Sequence, residues 1–348
     1  MDPFTTVIHG DSGVSDGADI APPIHPSTTF DRSDQAGMVY RRPHQSTQHR
    51  LEAILGDLEG GHALVYPSGL SAIASLIRHV NPKRIAIDDA YHGTLGFIDQ
   101  EAARGAWQVV KPEELEAGDL LWLETPSNPK LLITDIAAAV EAAPAGVVVA
   151  ADGTFATPIL QKPLSLGVDY VVHSTTKAIA GHSDALGGVI VSADPAACEE
   201  LAQRRTLDGA VGGSLDLWLT LRGIRTLPLR IDRASTTAYE IADWLASRVP
   251  VTHYPFLDSH PGVDVARRQM TAGGTIVSFE MGSYDDAARV LAGLRLFRHA
   301  TSLGGVESLA EHRRLVNPNA PEGLIRLSIG LEAPADLIGD LEQTVPSP

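Results

Sequence analysis

Leu51, Ile54, Leu55 and Leu58 fall at i, i+3, i+4 and i+7, a spacing that predicts an amphipathic helix. Leu70 to His79 reads as a second helical segment. Downstream the apolar residues come in short unbroken runs: Arg84-Ile85-Ala86-Ile87, Leu120-Leu121-Trp122-Leu123, Val147-Val148-Val149-Ala150, Val168 to Val172, and Gly188-Val189-Ile190-Val191. Unbroken rather than alternating runs predict strands buried on both faces. Helical stretches separate several of them, and Thr134 is placed to cap one that runs through Ala143. Strands alternating with helices predict an α/β fold with a mostly parallel sheet wrapped by helices.

The pattern changes after about residue 195. Helical stretches cover about 195–206, 209–225 and 233–248. A strand-like Thr275-Ile276-Val277-Ser278-Phe279, a helix near 285–294, the run Leu324 to Ile329 and a helix near 334–343 complete the chain. This predicts a smaller α+β domain, with the boundary near 225–235. Residues 1–45 are rich in Pro, Gly, Ser, Thr and Asp and show no period, so they read as an extended arm with apolar anchors at Ile20, Ile24, Phe30, Val39 and Tyr40. The expected division is an arm (1–45), a large domain (46–230) and a small C-terminal domain (231–348).

Length agrees with that division, since 348 residues correspond to about two domains. The formal net charge of −16 argues against nucleic acid or an anionic membrane as partner, because both call for a basic surface. The single cysteine, Cys198, allows neither an intrachain disulfide nor a cysteine-rich zinc site, and no metal is expected. The start Met1-Asp2-Pro3-Phe4 lacks a signal-peptide pattern and no apolar run reaches the ~18 residues of a membrane span, so a cytoplasmic protein is expected.

The chemistry concentrates between Asp152 and Gly188. Asp152 ends one predicted strand, and a neighbouring strand runs into His173-Ser174-Thr175-Thr176-Lys177. Open α/β sheets bind ligands at this carboxyl edge. A lysine held beside hydroxyls, with an aspartate one strand away, suits pyridoxal 5′-phosphate: the lysine forms the Schiff base, the hydroxyls bind the phosphate, and the aspartate keeps the ring nitrogen protonated. Taken singly, the lysine reads as a surface charge and the aspartate as a turn former. Ser174-Thr175-Thr176-Lys177 also fits S-x-x-K, the nucleophile motif of penicillin-binding proteins and class A β-lactamases; yet Ser183-Asp184 is followed by Ala185 and no K-T-G occurs.

Asp152-Gly153-Thr154-Phe155-Ala156-Thr157-Pro158, Pro163-Leu164, His173 to Lys177 and Gly181-His182-Ser183-Asp184 together resemble the signature of the Cys/Met-metabolism PLP enzymes, the transsulfuration family of cystathionine γ-lyase, γ-synthase, β-lyase and methionine γ-lyase. The likeness runs from about residue 20 to 343. It implies fold type I, the aspartate-aminotransferase-like architecture, with a mostly parallel seven-stranded sheet and a smaller C-terminal α+β domain. It implies Lys177 as the Schiff-base lysine, Asp152 on the ring nitrogen, Thr154 near the ring, and Ser174 and Thr176 on the phosphate. Tyr66-Pro67-Ser68-Gly69-Leu70 resembles the family's S-S-G-M segment, so Ser68, Gly69 and Leu70 would open a helix toward the phosphate. Tyr91-His92-Gly93-Thr94 resembles Y-G-G-T, whose tyrosine stacks on the ring and protonates the leaving thiol. Glu124 to Pro129 matches E-T-P-x-N-P, with Asn128 on the cofactor's phenolic oxygen. Ser302 to Leu309 matches S-L-G-G-x-E-S-L, and Arg326 to Gly330 matches R-L-S-V-G. Arg326 would hold the substrate carboxylate, with Ser302, Glu307 and Tyr40 also on the substrate; Glu307 would attract the distal ammonium of cystathionine. Tyr40 and Arg42 match Y-x-R, which reaches the neighbouring subunit's phosphate, so the active site would need a dimer at least; family members are usually tetramers, and the resemblance implies a homotetramer built from dimers that share active sites.

The chain departs from the family at several places. Gln45-Ser46-Thr47 replaces N-P-T, Ala178 replaces a tyrosine, and Gly96 replaces an arginine. Glu311-His312-Arg313-Arg314 stands where a T-H element is expected. The loops near 78–84 and 98–119 are short. Gly93 occupies the place where methionine γ-lyases carry cysteine, which disfavours that activity. The expected function is γ-elimination at a C–S bond of a sulfur amino acid. γ-Replacement on an O-acylhomoserine, in general or specialised metabolism, is the runner-up, followed by β-elimination. A non-catalytic PLP-fold protein and the S-x-x-K hydrolase are the readings from other classes.

Overall fold

The computed structural model describes residues 1–14, 19–31 and 39–346. Residues 15–18 and 32–38 of the expected arm lie outside the described residues. The chain forms two units, one made of residues 1–124, 136–154 and 162–227, the other of 125–135, 155–161 and 228–348.

The first unit is built on seven strands: β1 (His62–Tyr66), β2 (Arg84–Ile87), β3 (Gln108–Val110), β4 (Leu120–Glu124), β5 (Val148–Asp152), β6 (Tyr170–His173) and β7 (Gly188–Ser192). Their order in the sheet is β1-β7-β6-β5-β4-β2-β3. β3, β2, β4, β5 and β6 pair in parallel, whereas β7 runs antiparallel to both β6 and β1. The unbroken apolar runs have the meaning the pattern gave them. Leu120 and Trp122 enter one core cluster, and Leu121 and Leu123 enter another, because successive side chains of a strand point to opposite faces. The α/β architecture and the mostly parallel seven-stranded sheet therefore stand.

This topology decides where the chemistry gathers. β1, β2, β4, β5 and β6 share one direction, so Ser68, Tyr91, Glu124, Asp152 and Ser174 lie at or just beyond the same carboxyl edge. β7 begins there, with Gly188 opposite Tyr66.

The helix predicted by the Leu51–Leu58 stripe spans Ser46–Glu59 and buries all four of those residues. The second spans Gly69–Val80. Two local expectations change. Pro3–His9 is helical although the sequence shows no period there. Seven residues are too few for a period to register; the start signal is local, with Pro3 in the first turn and the Asp2 carboxylate accepting the Phe4 N–H at 2.9 Å. Arg225 then donates to the carbonyls of Val7 and Ile8, each at 2.7 Å, fixing the segment on its own unit. The helix expected after Thr134 begins at Ile136, so Thr134 is not its cap; its N–H is bound instead by Thr125 Oγ1 at 3.1 Å.

The second unit has a five-stranded sheet of β8 (Val251–His253), β9 (Ile276–Glu280), β10 (Arg298–His299), β11 (Leu309–His312) and β12 (Leu324–Ser328), ordered β10-β11-β12-β9-β8. The helix Leu227–Ala246 buries Ala238, Ile241, Ala242 and Leu245 in the cluster that includes Val277, Phe279, Ile325 and Leu327. Among the described residues no helix is long and apolar enough to cross a membrane.

Candidate active site

In the first unit, Ser68 caps the helix Gly69–Val80, accepting the Ser71 N–H at 3.0 Å. Gly69 is required by what lies against it. A Cβ built there would sit 2.9 Å from Ser174 Cβ and 3.0 Å from Ser174 Oγ. The bare α-carbon lets the Ser174 hydroxyl approach the helix N-terminus, where free N–H groups and the helix dipole favour an anion. Ser174 is anchored from the other side, its N–H donating to Thr154 Oγ1 at 2.9 Å. The Thr176 hydroxyl is held by Gly187, donating to its carbonyl at 3.1 Å and accepting its N–H at 3.0 Å. Lys177 follows in a tight turn, with its N–H on the Ser174 carbonyl at 3.2 Å and its carbonyl accepting the Gly181 N–H at 2.9 Å. Leu70 is exposed at the start of the helix.

Asp152 ends β5 with a buried carboxylate that accepts the Thr154 N–H at 2.9 Å. Burial pushes its carboxyl above the ordinary range, with Thr154 and His173 pulling the other way. Glu124 stands beside it, paired in register across β4 and β5. Burial, and then the Asp152 charge, push Glu124 well above its ordinary value. A buried carboxylate at the sheet edge is the partner that a protonated ring nitrogen needs, because an adjacent cation restores the ionised form. This acid and the Gly69–Ser174 cradle together fit pyridoxal phosphate: an anion site and a site for a ring N–H on one edge.

Tyr91 precedes the helix His92–Ala102, and its N–H donates to Glu124 Oε2 at 2.7 Å. Its ring folds over Gly93, where a Cβ would lie 2.4 Å from Cε1, and sits 4.4 Å from the His92 ring centroid to centroid. Any side chain at position 93 would displace that ring. Tyr40 and Arg42 are exposed and pair with one another, the guanidinium 5.7 Å from the tyrosine ring centroid.

In the second unit, Arg326 of β12 is buried and held by three acceptors. Nη1 donates to Asn128 Oδ1 at 3.0 Å, and Nη2 donates to the Ser302 carbonyl at 2.9 Å and meets Glu311 Oε2 at 2.9 Å. Burial brings its guanidinium down to about 10, with Glu311 opposing, so it stays charged at neutral pH. Ser302 has φ 109°, a strained value for a residue with a side chain, and its carbonyl is the one aimed at Arg326. The Glu307 carboxylate folds back over Gly305, where a Cβ would meet it at 2.9 Å. Asn128, expected on the cofactor, is here the partner of Arg326.

The sequence reading missed three groups. One is the buried Glu59–His173 pair, with Nε2 2.8 Å from Oε1; no local pattern signals it, since the partners are 114 residues apart. Another is Glu124, which lay in a quoted motif but acquires its meaning only from its place beside Asp152. The third is Glu311 with Arg313, noted only as a departure.

A family model for Cys/Met metabolism PLP-dependent enzymes matches residues 4–346. The chain is 41% identical over 355 aligned residues to the cystathionine gamma-synthase of Mycobacterium tuberculosis (strain ATCC 25618 / H37Rv), covering 93% of this chain and 91% of that protein. It is 40% identical over 322 residues to a putative cystathionine gamma-lyase of Streptomyces coelicolor, covering 87% and 82%. Among solved structures, apo CalE6, a methionine gamma lyase from Micromonospora echinospora, superposes with a TM-score of 0.93 at 40% identity over 99% of both chains.

Proposed function

The chain belongs to the Cys/Met metabolism family of PLP-dependent enzymes, and on that premise we propose that it cleaves the γ C–S bond of a sulfur amino acid, with L-cystathionine as substrate. The observation that carries the reading is the shared carboxyl edge of β1, β5 and β6. There a buried acid, a lysine turn and a helix N-terminus cradled by Ser174 stand together. Pyridoxal phosphate, when bound, supplies the electron sink that stabilises a carbanion at the substrate α-carbon.

The chain's own residues do the rest. Asp152 receives the ring N–H. The Gly69–Val80 helix N-terminus with Ser68, Ser174 and Thr176 holds the phosphate, and Thr154 supports Ser174. Lys177 would anchor the cofactor at rest; once freed, its amine would take the proton from Cα, give it up to the cofactor and, neutral again, take a second from Cβ. Tyr91 gives a proton to the departing thiol. Arg326, fixed by Asn128 and the Ser302 carbonyl, receives the substrate carboxylate. Glu307 attracts the distal ammonium. Tyr40 and Arg42 complete the phosphate site of a neighbouring chain, which needs a dimer at least; the proposed working form is a homotetramer of such dimers, in the cytoplasm.

Product analysis on PLP-loaded protein tests this. L-Cystathionine is expected to give 2-oxobutyrate, ammonia and cysteine, and Lys177→Ala to give none of them. Full activity in Lys177→Ala would sink the assignment. γ-Replacement is the second reading, favoured by the 41% identity to a cystathionine gamma-synthase. Absence of 2-oxobutyrate, with cystathionine formed from an O-acylhomoserine and cysteine, would establish it instead.

A further inference from the structure

Two charges of the segment after Ser302–Leu309 gather beside Arg326: Glu311 contacts it, and Arg313 contacts Glu311. Strand register sets Glu311 of β11 directly opposite Arg326 of β12. Glu311 Oε2 lies 2.9 Å from Arg326 Nη2 and also accepts from Arg313 Nη1, while Oε1 accepts from the Thr301 hydroxyl at 2.6 Å. All three charges are buried, at 3% exposure for Glu311, 4% for Arg313 and 3% for Arg326. Both arginines keep a buried Nε with no hydrogen-bond acceptor among the described residues.

This arrangement poses an electrostatic problem. Arg326 is the guanidinium assigned above to the substrate carboxylate, yet a carboxylate already sits on one of its nitrogens. In a buried setting salt screens little, so the Glu311 charge opposes an incoming anion. Arg313 approaches the same oxygen from the other partner position. With it the trio carries a net positive charge; without it the two opposite charges cancel and nothing is left to draw the substrate in. Burial alone would raise Glu311, but Arg326, Thr301 and Arg313 together hold it below its ordinary value, so it is ionised at neutral pH.

We propose that Arg313 is a positioning residue for substrate binding: it holds Glu311 in place against Arg326 and offsets its charge, so that Arg326 stays competent to bind the substrate carboxylate. The inference rests on the reading of Arg326 as the carboxylate residue.

Glycine is the test ligand, since it carries the carboxylate but no leaving group, and its binding to the holoenzyme is followed by the cofactor's visible absorption. Arg313→Gln is expected to weaken glycine binding about tenfold, within the range of coupling between contacting charges. In turnover of L-cystathionine the same variant is expected to raise KM while kcat changes little. Arg313→Lys should keep most of the affinity. The decisive variant is Arg313→Gln combined with Glu311→Gln. Removing the carboxylate charge should bring affinity back toward that of the parent, a rescue that a merely structural arginine would not show. A double variant as weak as Arg313→Gln, or unchanged binding in Arg313→Gln, overturns the proposal. If Arg313→Gln does not fold, the double variant and Glu311→Gln alone decide, and weakened glycine binding in both overturns it. Arg326→Gln separates the two readings. Unchanged binding there removes the carboxylate assignment itself, whereas weakened binding there with none in Arg313→Gln removes only this inference.

Discussion

At the scale of single residues, the site is a set of groups whose protonation depends on burial. Glu124 and Asp152 occupy paired positions on adjacent strands, and both are pushed toward the neutral form, by burial first. The consequence for the cofactor-free protein has a definite sign. A carboxyl raised in the folded state holds its proton to higher pH than the unfolded chain does, so the native state binds more protons in that window. The contribution of these two carboxyls to stability is therefore greatest below their ordinary values, 4.5 for the glutamate, and is lost as pH rises from there through the raised values. The slope is at most about 1.4 kcal/mol per pH unit for each proton. Denaturant melts of the cofactor-free protein across pH should show this slope as the difference between the parent and Glu124→Gln. Equal slopes in parent and variant would mean that Glu124 does not hold its proton. Because the variant keeps a side-chain oxygen to accept the Tyr91 N–H, the comparison isolates the charge.

At the scale of elements, the helix Gly69–Val80 does two things at one end. Ser68 satisfies one of its free N–H groups, and Gly69 admits Ser174 to the others. Loss of an N-cap hydroxyl costs about 1 kcal/mol, so Ser68→Ala should lower the unfolding free energy by about that much. The same change should weaken pyridoxal phosphate binding, because the helix start is also the anion site. Melts without cofactor and cofactor titrations measure the two effects separately; a stability loss with undiminished affinity would detach the cap from the phosphate. The seven-residue helix Pro3–His9 carries a different lesson. Its Asp2 cap and Pro3 start are standard signals, but with only Thr6 and Val7 buried it leaves no stripe to read.

At the scale of the whole molecule, the proposal makes the active site a property of more than one chain. Tyr40 and Arg42 are exposed on the chain that carries them, as groups that serve a neighbour must be. If Arg42 completes the neighbour's phosphate site, Lys177→Ala and Arg42→Ala proteins are each inactive but fail at different positions. Unfolded together and refolded as a mixture, they should regain activity through hybrid assemblies in which one site draws Lys177 and Arg42 from different chains. No recovery, with mixed assemblies shown to have formed, would place both residues in the same chain's site or remove Arg42 from it.

Much of this was legible in the sequence. The unbroken apolar runs gave the buried strands, the i, i+3, i+4 stripe gave the helix that buries Leu51, Ile54, Leu55 and Leu58, and the clustered motifs pointed to the carboxyl edge and its cofactor. These are local signals, in which side-chain period reports which faces are buried and a short motif reports the chemistry that needs its residue types. What only the tertiary structure decided are pairings across the chain. Glu59 meets His173 over a separation of 114 residues, Asn128 meets Arg326 over 198, and Ser174 meets the bare α-carbon of Gly69. Glu311 faces Arg326 because β11 and β12 run antiparallel in one particular register, and a slip of one residue would turn the carboxylate to the other face of the sheet. Strand order and register follow from how the whole core closes, and no window of sequence contains them.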